Sequence, residues 1–318
     1  SVGALAIMAD LTDRSIPDTG TTTFRPPFSP VALGALGAEG AGKWFAPERF
    51  LPTDTLAREM GAKFVEAGLW YRPSYFPKAG EDNWRQSCNR EAKMVRTTAG
   101  VCDVSLLGKV DIQGRDVAEF LDRIYSNMCS TLKVGRVRYG LMLREDGMVM
   151  DDGTSARLSK NHFVMTTTNA ASAQVMMHLE FCAQVLWPEL DVQFVSVTEH
   201  WAQFSIAGPK SRELVNGLCA EDIINDSFPY MSCGEVTIGT VRARLFRISF
   251  SGEHAYEIAI PARFGEALAR ELGARVGALG GGWYGLETLN VLRIEKGLVT
   301  HAEITGQVTA DDLGMGSM

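Results

Sequence analysis

The chain is poor in the residues that most readily announce chemistry. Its six cysteines (Cys88, Cys102, Cys129, Cys182, Cys219 and Cys233) are scattered, with no CxxC pair. That spacing argues against a zinc site or a disulfide framework and reads as reduced thiols buried as small hydrophobes, in a cytoplasmic protein. No apolar run is long enough to span a bilayer, and the short apolar opening, Ser1 to Asp10, lacks the cationic segment of a secretory signal. Basic residues are the minority: 31 Lys and Arg against 38 Asp and Glu leave a net charge of −7. A polyanion needs a basic surface to release its counterions, so no nucleic-acid partner is expected. HExxH and GxSxG are absent, and no Ser/His/Asp set can be assembled from the five histidines. Neither a metal centre nor a nucleophile is legible, and the catalytic residues are unknown from spacing alone. The chain begins at Ser1 with no initiator Met, which reads as a cut inside a longer polypeptide.

What is present describes a globular chain of 318 residues, 46% hydrophobic and 22% charged, long enough for about two domains at roughly 150 residues each. Residues 1–51 differ from the rest. Thr19 to Pro30 is rich in Pro, Thr and Gly, and Leu33 to Gly42 is a Gly/Ala run, so this part reads as a linker and the tail of a preceding region. The compact domain is expected over 52–318. There, helices are expected at 55–67, 84–98, 116–125, 169–186 (capped by Asn169), 209–219, 262–279 and 286–296. Strands are expected at 137–143, 148–151, 162–168, 192–197, 201–207, 235–238, 242–250 and 256–260, with a hairpin turn at Arg144-Glu145-Asp146-Gly147. Hairpins mixed with single helices predict an α+β fold rather than a doubly wound parallel sheet.

Three motifs fail on context. Gly37 to Lys43 satisfies GxxxxGK, but Trp44 stands where a hydroxyl must bind magnesium, and no strand precedes it. Gly280, Gly282 and Gly285 satisfy GxGxxG, but a helix is expected before them where a dinucleotide fingerprint needs a strand. His178 and Cys182 lie four apart on one helix, and no second pair completes a metal site.

Two acidic segments carry more. In Tyr256-Glu257-Ile258-Ala259-Ile260, alternation puts Tyr256, Ile258 and Ile260 on one strand face, with Glu257 and Ala259 on the other. Glu257 either sits on a solvated face or is presented from a rigid strand, able to accept two parallel N–H bonds from an amidine-like ring edge. Met150-Asp151-Asp152-Gly153-Thr154 breaks a hairpin with two acids and a Gly, as a bulge, a turn or a place where a ligand meets bare backbone.

Gly100-Val101-Cys102-Asp103-Val104-Ser105-Leu106-Leu107-Gly108-Lys109 resembles the first signature of the glycine-cleavage T-protein (aminomethyltransferase) family. Ala207-Gly208-Pro209, Phe250-Ser251-Gly252-Glu253 and Leu292-Arg293-Ile294-Glu295-Lys296-Gly297 match its later motifs in order. Within that group, Gly20 to Pro27, Arg138 to Gly147, Val149 to Thr154 and His178 to Cys182 are similar to the family of alpha subunits of heterotetrameric sarcosine oxidases. The resemblance implies a domain that binds tetrahydrofolate. It would take the one-carbon unit of a methylene-imine, released when sarcosine is oxidised to glycine, to give 5,10-methylenetetrahydrofolate. It also implies a flavin-bearing beta subunit and small subunits as partners, with FAD, FMN and NAD held elsewhere in the assembly. A dinucleotide-binding half would lie before Ser1 and a β-barrel after Met318. Glu257 would pair with the pterin's 2-amino and N3 edge, and Asp152, Gly153, Thr154, Phe250, Ile258 and Ala259 would line the folate. Phe250 departs from the family's Tyr. The acid of an Asn-Asp pair in the family is missing, since Asn127 is followed by Met128, and Leu289-Asn290 replaces an Arg-Asp pair, so no acid–base residue carries over. A stand-alone transferase and a non-catalytic folate-binding module are the alternatives.

Overall fold

The computed structural model describes residues 2–15, 19, 49–67 and 70–318. The Gly/Ala run, the GxxxxGK motif and, Thr19 apart, the Pro/Thr-rich stretch lie outside the described residues. The chain divides into two compact units, Ser1–Pro47 and Glu48–Met318. In the first, Val2–Thr12 is a helix (α1) where a linker was expected. Ala, Leu and Met are strong helix formers, and Thr12 Oγ1 donates to Met8 O at 2.7 Å near its end.

The larger unit runs β1 (Arg49–Phe50), α2 (Asp54–Glu59), β2 (Lys63–Ala67), β3 (Trp70–Tyr75), α3 (Trp84–Thr97), β4 (Gly100–Asp103), β5 (Gly108–Gln113) and α4 (Val117–Ile124). It continues with β6 (Arg136–Leu143), β7 (Val149–Ser159), β8 (His162–Thr167), α5 (Ser172–Phe181), β9 (Gln193–Ser196), β10 (Trp201–Ala207) and α6 (Ser211–Leu218). It ends with β11 (Cys233–Ile238), β12 (Val241–Phe246), β13 (Ala255–Pro261), α7 (Gly265–Ala278), β14 (Gly282–Trp283) and α8 (Leu286–Glu295). Among the described residues these strands make a small sheet, β1-β3-β2, a six-stranded sheet, β11-β12-β13-β10-β4-β14, and a five-stranded sheet, β6-β7-β8-β5-β9. The α+β expectation holds.

Each large sheet has one face closed by helices. The six-stranded sheet turns Val101, Phe204, Ile206, Leu245, Tyr256 and Ile258 towards Leu214 and Val215 of α6 and Leu268 and Leu272 of α7. The five-stranded sheet turns Val110, Ile112, Met142 and Met165 towards Phe120 and Leu121 of α4 and Val175 and Leu179 of α5. The remaining faces meet each other only in part: Val137 and Ala156 of the second sheet pack on Phe246 and Ala259 of the first. On the same face of the first, Cys102, Ala207 and Ala255 are covered by Ala92 and Val95 of α3 and Leu289 and Leu292 of α8. Both faces of β13 are therefore buried. The chain crosses between the sheets at 104–107, in the middle of the first family signature, because β4 belongs to one sheet and β5 to the other.

Several boundaries differ from expectation for local reasons. The first helix of the larger unit stops at Glu59 instead of running to Ala67, because Gly61 takes φ +72° and closes it. The chain then continues as β2. Asn169 does not cap α5; its side chain donates to Ala67 O at 2.6 Å, and the helix starts at Ser172. Asp151, Asp152 and Gly153 do not break their strand but pair with Met142, Leu141 and Gly140, and the irregularity falls between Met142 and Leu143. The strands at β3, β4 and β5 were not foreseen. A helix, α7, does precede Gly280 as expected.

Gly153 is fixed by proximity: a Cβ there would lie 1.9 Å from Thr166 O. Gly153→Ala is expected to lower stability by about 1–3 kcal/mol through forced separation of β7 and β8, read from urea unfolding midpoints. An unchanged midpoint would show that the strands can part freely.

Candidate functional site

The face of β13 that bears Glu257 looks away from α6 and α7. Register places Ser205 and Phe246 beside Glu257, and Gln203 and Arg244 beside Ala259. Glu257 is 5% exposed, so it does not lie on a solvated face. Gln203 Nε2 donates to its Oε2 at 2.5 Å, a diagonal cross-strand contact. Burial pushes the Glu257 carboxyl up; the Gln203 hydrogen bond and the positive charge of Lys109 oppose that.

Behind Glu257 lies a buried polar chain formed by the crossing segment. Ser105 Oγ accepts from Gln203 N at 2.8 Å, and Ser105 N donates to Asp103 Oδ1 at 2.8 Å. Thr53 Oγ1 donates to Asp103 Oδ2 at 2.7 Å. Lys109 Nζ donates to the carbonyls of Ser105 at 2.8 Å and Leu107 at 3.0 Å. Burial lowers the Lys109 ammonium to about 8, against the pull of Asp103 and Glu257. The first signature quoted Lys109 only as its last letter, and nothing in the sequence signals that this lysine is interior.

On the facing sheet, alternation along β7 puts Asp152 and Thr154 on the same side as Ala156, the residue that packs against Ala259 and Phe246. Tyr139 OH donates to Asp152 Oδ2 at 2.9 Å. Asp152 Oδ1 is buried with no hydrogen-bond partner among the described residues. Burial raises this carboxyl to about 6, with the Glu303 carboxylate adding to the rise and the Tyr139 hydrogen bond opposing it. Asp151 points to the helix-covered side, accepts from Thr168 N at 3.2 Å and Oγ1 at 2.7 Å, and is raised to about 7, chiefly by burial. Thr154 is tied to Thr166 through paired hydroxyls 2.8 Å apart. Phe250 packs against the cluster of Cys102, Ala207 and Ala255, on the Glu257 side of the sheet.

The structure thus sets Glu257, Ala259 and Phe250 on one inner face and Asp152 and Thr154 on the other, with Gly153 paired to Gly140 of β6 and close against Thr166 O of β8. Ile258 is the exception. Its side chain is wholly buried in the core under α6 and α7, on the face opposite Glu257, so it cannot line the same space. Met128, where the family acid is missing, is 58% exposed and lies outside this interior.

Other reactive groups are accounted for locally. All six cysteines are free and five are buried, as the spacing suggested. Ser211 Oγ lies 2.7 Å from His254 Nδ1, a contact that sequence reasoning missed. Arg212 Nη2, a donor only, occupies His254 Nε2 at 3.1 Å, so Nδ1 carries the proton. His254 then donates to Ser211, whose hydroxyl donates to His254 O at 2.9 Å, the wrong polarity for activating a nucleophile. His178 Nε2 stands 3.6 Å from Cys182 Sγ, and no third metal-ligating group joins them among the described residues. No described helix is long and apolar enough to cross a membrane.

The raised Asp152 carboxyl makes stability depend on pH. The folded chain keeps a proton that the unfolded chain releases between 3.8 and about 6. The stabilisation is complete below the unfolded value and is lost as pH rises through the folded one. Asp152→Asn is expected to make the fall in urea midpoint across this range shallower, though not flat, because Asp151 remains. An identical profile in the variant would show that Asp152 is already ionised in the folded chain.

The GCVT N-terminal domain profile matches residues 53–318, and the sarcosine oxidase A3 domain profile matches residues 1–40. The chain is 52% identical over 323 residues to the sarcosine oxidase subunit alpha of Rhizobium meliloti (strain 1021), covering 100% of this chain and 32% of that protein. It is 44% identical to the subunit alpha of Corynebacterium sp. (strain P-1), covering 99% of this chain and 33% of that protein. The chain therefore spans about a third of the length of these relatives. Among solved structures, the glycine cleavage system aminomethyltransferase T from Bartonella henselae superposes with a TM-score of 0.67 at 24% identity, covering 79% of this chain and 63% of that one, which establishes the shared fold. With its profile match running from residue 53 to residue 318, on the strands and crossing segment just described, the chain belongs to the GCVT (glycine-cleavage T-protein) family.

Proposed function

We propose that residues 52–318 form a tetrahydrofolate-binding domain of a sarcosine oxidase alpha subunit, and that Glu257 holds the pterin. The observation that carries this reading is a carboxylate 5% exposed on the inner face of a central strand. A buried acid on a β-strand has a fixed direction, and its two oxygens match the parallel 2-amino and N3 donors of a pterin edge. The interior fits such a ligand in two further ways: Asp152 offers a buried, unpartnered Oδ1, and Phe250 offers an aromatic ring on the Glu257 side.

Tetrahydrofolate, when bound, supplies the amines that take up a one-carbon unit. The protein's own part is positional. Glu257 grips one end of the ring, Gln203 fixes the rotamer of Glu257, and Thr154, Gly153 and Ala259 shape the walls. Asp152, with its carboxyl raised to about 6, holds or yields a proton near neutral pH at Oδ1, the role left vacant by Met128. Walls that exclude water favour transfer of the one-carbon unit over hydrolysis to formaldehyde, and orientation of two bound reactants supplies much of the rate.

The full assembly on this reading demethylates sarcosine oxidatively to glycine and passes the one-carbon unit to tetrahydrofolate, giving 5,10-methylenetetrahydrofolate. Its flavin-bearing beta subunit and small subunits are the partners, FAD, FMN and NAD are held outside this chain's own motifs, and the compartment is the cytoplasm. The match of residues 1–40 to a sarcosine oxidase domain supports this over a stand-alone transferase.

Glu257→Gln keeps the Gln203 hydrogen bond but removes the charge. It is expected to weaken tetrahydrofolate binding by roughly 1.5–3 kcal/mol, about tenfold to a hundredfold. Titration by calorimetry with the full chain, or with the assembled oxidase, measures this. Equal affinity in the variant would remove Glu257 from the site.

A further inference from the structure

Lys109 is 2% exposed, yet its ammonium meets no carboxylate within salt-bridge distance among the described residues. It is seated instead on two backbone carbonyls, those of Ser105 and Leu107, in the segment that crosses between the sheets. An interior ammonium is costly, and protein interiors retain one where its charge is matched. Two interior carboxyls flank it. Asp103 is already satisfied by Ser105 N and Thr53 Oγ1 and shares its surroundings with the buried Arg72 guanidinium, which sits on Cys102 Sγ at 3.5 Å. Glu257 has only the neutral amide of Gln203. The same Ser105 that receives Lys109 at its carbonyl binds the Gln203 backbone through its hydroxyl, so Lys109 and Glu257 are the two ends of one buried hydrogen-bonded chain.

We propose that Lys109 is a positioning residue that keeps Glu257 ionised inside the protein, so that the site presents acceptors only to its ligand. This rests on the assignment of Glu257 to the pterin. A protonated Glu257 would turn one acceptor into a donor and lose one of the two parallel bonds. Other titratable groups around the pair are Asp103 on β4, Tyr284 ahead of α8 and Cys102 on β4. Burial holds Tyr284 and Cys102 in their neutral forms. Arg244, which register puts on the same face from β12, is engaged by Asp111 at 3.5 Å and by the Trp201 ring, which leaves Lys109 as the positive charge without a carboxylate partner facing Glu257.

The test reads the Glu257 proton directly, without folate. Infrared difference spectra of the full chain across pH would follow the protonated-carboxyl band removed by Glu257→Gln. In Lys109→Met that band is expected to persist to higher pH than in the unaltered chain, and in Lys109→Arg to titrate as in the unaltered chain. Tetrahydrofolate affinity should then fall in Lys109→Met with a pH profile displaced the same way. A band that titrates identically with and without the lysine overturns the proposal. If Lys109→Met does not fold, the double variant Lys109→Met/Glu257→Gln is expected to recover a cooperative unfolding transition. Recovery by Asp103→Asn and not by Glu257→Gln would overturn the proposal by assigning the lysine to Asp103. Because the carboxyl titration needs no ligand, a chain that binds no folate would overturn the function proposed above while leaving this result readable.

Discussion

The hydrogen bond from Gln203 to Glu257 holds an acid where the protein leaves it almost no water. A carboxylate in that position must be oriented and charge-balanced or it protonates, and the surrounding structure supplies both. Gln203 comes from the neighbouring strand, Ser105 anchors Gln203 through its backbone, and Lys109 joins the same network from the other sheet. The crossing segment that carries the first family signature therefore does more than connect two sheets: it threads polar groups into the gap between them.

This arrangement explains why the two sheets are closed so differently on their two sides. The helix-covered faces are apolar and densely packed around Phe204, Tyr256, Phe120 and Leu121. Between the sheets, apolar contact is a small cluster that includes Ala259, Ala156, Val137 and Phe246. Towards Cys102, Ala207 and Ala255 the same face is closed by α3 and α8, and the buried Glu257, Gln203 and Ser205 share that face. Small residues at Ala156 and Ala259 let the two sheets approach, while Asp152, on the same side of β7 as Ala156 and beside Leu141, where Ile304 and Val308 pack, keeps one oxygen unsatisfied. Buried polar groups without partners are rare in folded proteins, and this one lies on the same face as the packing contact to β13.

Much of the fold was legible in the sequence because it is local. The apolar periodicity of Val117, Phe120, Leu121 and Ile124 gave α4, and the alternation in 256–260 gave the side of β13 that Glu257 occupies. The burial of that side was not legible, because it is covered by residues 137–158 and by α3 and α8, all distant in sequence or on other elements, and a strand covered on both faces loses its polar–apolar signature. Asp151-Asp152-Gly153 reads as a break by propensity, yet pairing with β6 overrides it. Asn169 has the chemistry of a cap and is used for another contact. Lys109 is the clearest case: a lysine at the end of a motif reads as exposed, and only the crossing between sheets takes it inside. Of the candidate lining residues, Ile258 was already separable from Glu257 by alternation, and the structure separates them in that way.

The central claim is that Glu257 grips the flat edge of a pteridine between the two sheets. A crystal structure of the chain, or of its assembly, with reduced folate bound tests it most directly. The account requires both Glu257 carboxylate oxygens within hydrogen-bond distance of the ring's 2-amino and N3 nitrogens, with Asp152 across the gap. A ring bound elsewhere, with the Gln203–Glu257 contact undisturbed and no ligand atom beside it, would contradict it.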